Sequence, residues 1–210
     1  MISSMISVII PTLNRAKLTA KAYQSAIEQT HKEIEVIVVD NGSDEFCLTE
    51  MASMGIQPLH CKTPGAGAAR KTGLMNSVGD FLIFLDSDDS LSPNAIGDLL
   101  HEMSEDSDGV FGAMRNSNTT GLNVMHGDSV FRSPLASNTL LRRTVFDKFG
   151  GFPDDNYSWP VWLMRAQSNG LNLASTKNLV ATRLIHGENL SMTEDSMSFY
   201  FREIRKKLGR

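Results

Sequence analysis

Phe81-Leu-Ile-Phe-Leu-Asp86-Ser87-Asp88-Asp89 runs from five consecutive apolar residues into three carboxylates within four positions. An apolar run of that length, bounded by turn residues, reads as a buried strand. Its acidic end delivers negative charge to a sheet edge, which is costly unless a cation sits there. A divalent metal held by one or two carboxylates, with water and phosphate oxygens completing its shell, is the usual arrangement for handling nucleotide diphosphates. The same residues also suit a solvated Asp-rich turn before a helix near Pro93, with Ser92 as its N-cap. Both readings stand on this stretch alone.

Working outward, Ser7-Val-Ile-Ile-Pro11 and Ile34-Glu-Val-Ile-Val-Val39-Asp40 are two further apolar runs, the second rich in β-branched residues, and both predict strands. Between them Leu18, Ala22, Ala26 and Ile27 recur at helical spacing, opposite Lys17, Lys21 and Gln24. Strand, helix and strand make a βαβ unit. A weaker strand over 57–61, a helix from the glycine-bearing segment to about residue 77, and the strand over 81–85 continue the alternation. This predicts an α/β fold with a mostly parallel central sheet flanked by helices. After residue 105 strands are expected over 109–114, 138–141 and 180–184, and helices over 143–148 and 161–169. Ligands of such sheets sit beyond the carboxyl ends of the strands. Pro11 to Arg15, Asp40 to Ser43 and Asp86 to Asp89 all fall at those ends and are expected to share one cleft.

The chain has 210 residues, 41% hydrophobic and 21% charged, with a net charge of -4, so bulk electrostatics do not suggest a nucleic-acid binder. One domain is expected, spanning 1–210. Cys47 and Cys61 have neither metal-site spacing nor the density of a disulfide scaffold, which points to a reducing compartment. No run approaches the roughly 20 apolar residues of a membrane-crossing helix, and the N-terminus lacks the basic region of a signal peptide. The expectation is a cytoplasmic location.

Gly65-Ala-Gly67-Ala-Ala-Arg70-Lys71-Thr72 is neither a Walker loop, which needs glycine immediately before Lys-Ser/Thr, nor a dinucleotide fingerprint, which needs a third glycine where Arg70 stands. It reads either as a helix start whose amides and basic side chains meet a phosphate or nucleobase, or as a tight turn with a packed alanine face.

Four motifs in order, Val8-Ile-Ile-Pro11-Thr12-Leu-Asn14-Arg15, Val38-Val-Asp40-Asn41-Gly-Ser43, Pro64-Gly-Ala-Gly67-Ala-Ala-Arg70 and Phe84-Leu-Asp86-Ser-Asp88-Asp89, resemble the successive signatures of family 2 glycosyltransferases with the GT-A fold. The resemblance is strongest over residues 6 to about 100. It continues through Asn138-Thr-Leu-Leu-Arg-Arg, Phe149-Gly-Gly-Phe152 and Arg183-Leu-Ile-His186. It implies a metal-dependent, inverting enzyme that moves a sugar from a UDP-sugar to a hydroxyl of a glycan or lipid-linked acceptor. Residues 6–104 would bind nucleotide and metal, and 105–192 would shape the acceptor site. Pro11, Thr12, Asn14, Arg15, Asn41, Ser43, Gly67 and Arg70 would then line the nucleotide site, with Asp40 accepting from the uracil imide N–H. Asp86, Asp88 and Asp89 would supply the D-x-D-type motif for Mn²⁺ or Mg²⁺, and a neutral His186 would either ligate that metal or be a hydrogen-bonded structural residue.

Inverting members also need a general base. Where the family commonly shows an acidic pair after Gly-Gly-Phe, this chain has Tyr157-Ser158-Trp159-Pro160. The nearest acids are Asp154 and Asp155, which are either displaced substitutes, with Asp155 favoured, or loop residues. Asp128 is a further candidate. If none serves, the chain either acts on an acceptor that ionises easily or is a catalytically degenerate nucleotide-binding subunit. A nucleotidyltransferase also couples an α/β sheet to metal and diphosphate, but its glycine-rich basic loop near the N-terminus is not evident here. Over 197–210, Met197, Phe201, Ile204 and Leu208 share one helical face with Arg202, Arg205, Lys206, Lys207 and Arg210 largely elsewhere. Such a helix either touches an anionic membrane surface or docks on its own domain or on a second subunit.

Overall fold

In the computed structural model, which describes residues 4–118 and 129–185, the apolar runs form the sheet's centre. β1 (Ile6–Thr12) is buried along its length. After the return helix α1 (Ala16–Ile27), β2 (Ile34–Asp40) lies parallel to β1, with Ile6 beside Ile34 and Thr12 beside Asp40. Then come α2 (Glu45–Ser53), β3 (Leu59–His60), α3 (Ala66–Met75) and β4 (Phe81–Phe84). β4 flanks β1 on its other side, again parallel, with Ile9 beside Phe84. Parallel pairing ends β2, β1 and β4 at one edge, so Asp40, Thr12 and Asp86 emerge side by side.

β5 (Asp89–Leu91), α4 (Ala95–His101), β6 (Gly109–Asn118) and β7 (Val130–Phe131) follow, then a 3-10 turn (Ala136–Asn138), β8 (Thr139–Arg142), α5 (Val145–Phe149), α6 (Ser158–Ser168) and β9 (Leu173–Ile185). The single nine-stranded sheet has the order β3-β2-β1-β4-β8-β6-β9-β5, with β7 on β6. Its longest ladder is the parallel pairing of β6 with β9, and β8 joins the two halves by antiparallel bonds to β4 and β6. Only four residues separate β4 from β5, yet four strand spacings lie between them along the sheet. At about 4.8 Å per spacing, a link containing a turn does not reach across a flat sheet. The sheet therefore curls, and its two ends close over one cleft.

Strand alternation divides the core between the faces. Val8, Ile10 and Ile83 pack with Ala22, Ala26, Ile96 and Leu99. Ile9, Leu82 and Phe84 pack with Ala69, Val145, Phe152 and Trp162. Phe84 meets Phe152 edge-on at 4.9 Å, and Phe146 stacks on Trp162 at 5.2 Å, so aromatic contacts seat α5 and α6 on the first half. Among the described residues no helix is long and apolar enough to cross a membrane.

The structure departs from the sequence reading in several elements. Ser92 is not an N-cap: α4 begins after Asn94, and Ser92 offers only its carbonyl, to Ala95 N–H. In α1 Thr19 joins the buried face, while Ile27, the last residue of the helix, is 46% exposed. The unpredicted α2 is started by Asp44, whose carboxylate accepts from Cys47 N–H at 2.8 Å. α6 starts at Ser158 and takes Pro160 into its first turn, where proline costs no intrahelical bond. β9 begins at Leu173, seven residues before its predicted start, held by pairing with β6 rather than by an apolar pattern of its own.

Candidate functional site

The β1–α1 loop places Arg15 at the helix start, where its Nη1 lies 2.8 Å from Asp88 Oδ2. Thr12 is buried, its hydroxyl 2.6 Å from that of Thr19. Asn14 adopts a left-handed φ of 51°, and its side-chain oxygen accepts from Asp44 N–H while Ser43 Oγ accepts from Asn14 N–H, both at 2.8 Å. Asn14 and Ser43 thus lace the β1–α1 and β2–α2 loops together.

Asp40, at the end of β2, has no solvent exposure. Its carboxylate accepts from Gly42 and Ser43 N–H at 3.1–3.2 Å and lies 3.3 Å from His60 Nδ1. It shapes the Asn41 to Ser43 turn from below. Asn41 lies above it: the side chain donates to Thr63 O and accepts from Gly65 N–H, each at 2.7 Å.

The acids after β4 form one turn, closed by Asp89 N–H donating to Asp86 O at 2.9 Å. Asp86 Oδ1 is 2.6 Å from Arg70 Nη2, and Arg70 Nη1 donates to Ser158 Oγ at 2.7 Å. Arg70 is only 5% exposed, so this guanidinium joins the acidic turn to the start of α6 inside the protein. Asp89 is 6% exposed. Burial raises its pKa well above the ordinary carboxylate value, and Asp86 and Asp88 raise it further; the Ser137 hydrogen bond and the Arg183 charge pull the other way. Arg183 faces Asp89 in the register of β5 on β9.

Gly67 owes its lack of a side chain to packing. A Cβ there would lie 1.7 Å from Pro153 O and 2.7 Å from Ser158 Cβ. At Gly65, with φ 114°, it would lie 1.9 Å from Asp154 O. The first amides of α3 are occupied by the same loop, Gly67 N–H by Asp155 O and Ala66 N–H by Asn156 Oδ1. Of the two readings of this segment, the tight turn with a packed alanine face describes the backbone, and Arg70 is the side chain that reaches the acidic cluster. Asp154 pairs with Lys71, and Asp155 Oδ1 accepts from Tyr157 N–H at 2.8 Å.

These groups surround a cleft of about 330 Å³. Pro11, Thr12, Arg15, Asn41, Arg70, Asp86, Asp88 and Asp89 line it, as do Arg183, Asn156, Tyr157, Trp159 and Pro160 from the second half. Asn14, Asp40, Ser43, Gly67, Asp154 and Asp155 are not among the lining residues. Three arginines face three aspartates in this one space. Arg183, Ser137 and Ser158 were not singled out from the sequence; the only signal was the weaker family resemblance around 138 and 183. His186, Asp128 and the basic segment over 197–210 lie outside the described residues.

Among the described residues no three His, Cys, Asp or Glu side chains are arranged to hold a metal ion together. The donor set nevertheless fits a hard divalent cation that takes one or two carboxylates and completes its shell with diphosphate and water oxygens. Asp89 Oδ1 is buried with no hydrogen-bond partner, in a residue that lines the cleft along with Asp86 and Asp88. A cation would satisfy that oxygen.

The profile of Glycosyl transferase family 2 matches residues 7–209, and the chain belongs to that family. It is 28% identical over 214 residues to an uncharacterized glycosyltransferase of Rickettsia felis, an alignment covering 92% of this chain and 35% of the relative, so it spans about a third of that protein's length. The fold is that of GT-A glycosyltransferases. Residues 1–349 of Staphylococcus aureus TarS, in complex with UDP-GlcNAc, match with a TM-score of 0.74 at 22% identity, covering 92% of this chain and 64% of that one. The mannosyltransferase PcManGT from Pyrobaculum calidifontis, in complex with GDP-Man and Mn2+, matches with a TM-score of 0.68 at 16% identity, covering 89% and 58%.

Proposed function

We propose that this chain is a metal-dependent, inverting glycosyltransferase that uses a UDP-sugar and delivers the sugar to a hydroxyl of a glycan or lipid-linked acceptor. The observation that carries this is the cleft at the strand ends, where Arg15 and Arg70 hold Asp88 and Asp86 beside the unpartnered Asp89 Oδ1. Family membership and the nucleotide sugars bound by TarS and PcManGT support it.

In this reading the guanidinium groups of Arg15 and Arg70 turn from the carboxylates to the diphosphate oxygens, for which their fork geometry is suited. Asp86 and Asp88 would then be freed to join Asp89 in holding Mn²⁺ or Mg²⁺. A bound cation offsets the charge that builds on the nucleoside diphosphate as the anomeric C–O bond breaks. Pro11, Thr12 and Asn41 form the wall for the base and ribose. Asp40 fixes the turn beneath them and reaches the uracil imide only if its loop amides yield an oxygen. The acceptor hydroxyl attacks the anomeric carbon and gives its proton to a base, for which Asp155 is the proposed residue and Asp154 the alternative.

One observation favours a second reading, a nucleotide-binding subunit without transfer activity. Asp154 is paired with Lys71 and Asp155 with Tyr157 N–H, and neither lines the cleft, so either acts as a base only after residues 153–157 re-orient. Calorimetric titration with UDP, GDP, CDP and TDP, with and without Mn²⁺, tests the donor site. Manganese-dependent UDP binding lost in Asp88→Ala supports it, and no binding of any diphosphate overturns it. Release of UDP from UDP-sugars then separates enzyme from binding subunit.

A further inference from the structure

Ser137 is 1% exposed and sits in the 3-10 turn before β8, far along the chain from the acids. Its Oγ accepts from Asp86 N–H at 3.0 Å and donates to Asp89 Oδ2 at 2.6 Å. One hydroxyl therefore bridges both ends of the turn that carries all three acids. Its own turn is secured by other residues: Asn138 Oδ1 accepts from Leu135 N–H, Asn138 Nδ2 donates to Gly112 O, and Thr139 Oγ1 donates to Leu135 O. The Ser137 hydroxyl is thus directed entirely at the acidic turn.

A serine has one proton to give. With the Asp86 amide on its lone pair, that proton goes to Asp89 Oδ2, which fixes the carboxylate plane and leaves Oδ1 buried and unpartnered. We propose that Ser137 is a positioning residue of the metal–diphosphate site, selecting Asp89 Oδ1 as the oxygen left for a cation and holding Asp86 and Asp88 in the same turn. This rests on the donor-site reading above. It also gives the second half of the chain a share in metal binding.

The test is Mn²⁺ binding in the presence of UDP, followed by electron paramagnetic resonance, for the intact chain and for Ser137→Ala and Ser137→Thr. Ser137→Ala is expected to weaken Mn²⁺ binding about tenfold or more, the scale of a lost hydrogen bond to a charged group. Ser137→Thr keeps the hydroxyl and is expected to restore binding to within about threefold of the parent. Parent-like Mn²⁺ affinity in Ser137→Ala overturns the proposal, as does a folded Ser137→Thr as weak as the alanine variant. If Ser137→Ala does not fold, Ser137→Cys, similar in shape and a poor donor, gives the same comparison. An intact chain that binds no Mn²⁺ with UDP overturns the donor-site reading itself, and this role with it.

Discussion

Arg15 Nη1 and Asp88 Oδ2, 73 positions apart in the chain, meet at 2.8 Å in the lining of the cleft. Arg70 and Asp86 repeat the arrangement in the same cleft. In each pair a group suited to phosphate holds a group suited to a cation, so neither is free for its own ligand alone. A metal–diphosphate pair can exchange with both ion pairs while leaving the balance of charge nearly unchanged. Arg15→Gln should therefore act with opposite signs. Mn²⁺ without nucleotide should bind more tightly, by a few fold, because Asp88 loses its competitor. UDP with Mn²⁺ should bind about tenfold more weakly through loss of a charge-assisted contact. Calorimetry with each ligand separately reads both, and a fall in both affinities would contradict the exchange.

The packing of α3 against residues 153–158 predicts a contrast between glycines. Gly67→Ala forces a Cβ into Pro153 O, a backbone atom that cannot swing aside, and should cost about 2–3 kcal/mol as an overpacked site. Gly97 lies within α4 with nothing near its would-be Cβ, so Gly97→Ala should stabilise by about 0.5–1 kcal/mol through helix propensity. Urea unfolding of both variants measures the difference. A Gly67→Ala protein as stable as its parent would mean that the loop does not clasp the helix as described.

The sheet was legible where burial on both faces left continuous apolar runs, as in β1, β2 and β4. It was not legible over the first half of β9, where Ser175, Lys177 and Asn178 offer no apolar pattern and pairing with β6 decides. The site divides in the same way. Arg15 and the three acids could be placed at strand ends from topology alone, and Arg70 was reached through its motif. Ser137, Ser158 and Arg183 could not be placed, because each acquires its role from a contact across the fold: two from hydrogen bonds to residues distant in the chain, one from the register that sets Arg183 opposite Asp89. The glycines of 65–67 left a phosphate-meeting helix start and a tight packed turn both open, and only the approach of Pro153 and Asp154 reveals their packing role.

Asp154→Asn and Asp155→Asn distinguish enzyme from binding subunit. The Asp154–Lys71 pair is exposed and contributes little, so Asp154→Asn should shift stability by less than about 1 kcal/mol. UDP binding should persist in both variants, since neither side chain lines the cleft. With Asp155 as the base, Asp155→Asn should lower turnover about 10²–10⁴-fold at unchanged UDP affinity. Turnover kept by both variants would remove these two acids from the chemistry.

Asp89→Asn separates what the acid costs the fold from what it gives the site. Asn is nearly isosteric, and its amide oxygen can still accept from Ser137 Oγ, so the turn keeps its bridge. Asp89 is buried, feels the charges of Asp86 and Asp88, and has one oxygen unpartnered, an environment that disfavours a negative charge. Without metal at neutral pH, Asp89→Asn should therefore melt at the parental temperature or above it, gaining up to about 1–2 kcal/mol on the scale of an unsatisfied buried group. With Mn²⁺ and UDP the order should reverse. The parent gains stability from ligands that bind only the folded state, while the variant, lacking a carboxylate toward the cation, gains less. Melting curves with and without Mn²⁺ and UDP decide it. A variant less stable than its parent without ligand, and raised equally by the ligands, would make Asp89 a structural acid rather than one held in readiness for a metal.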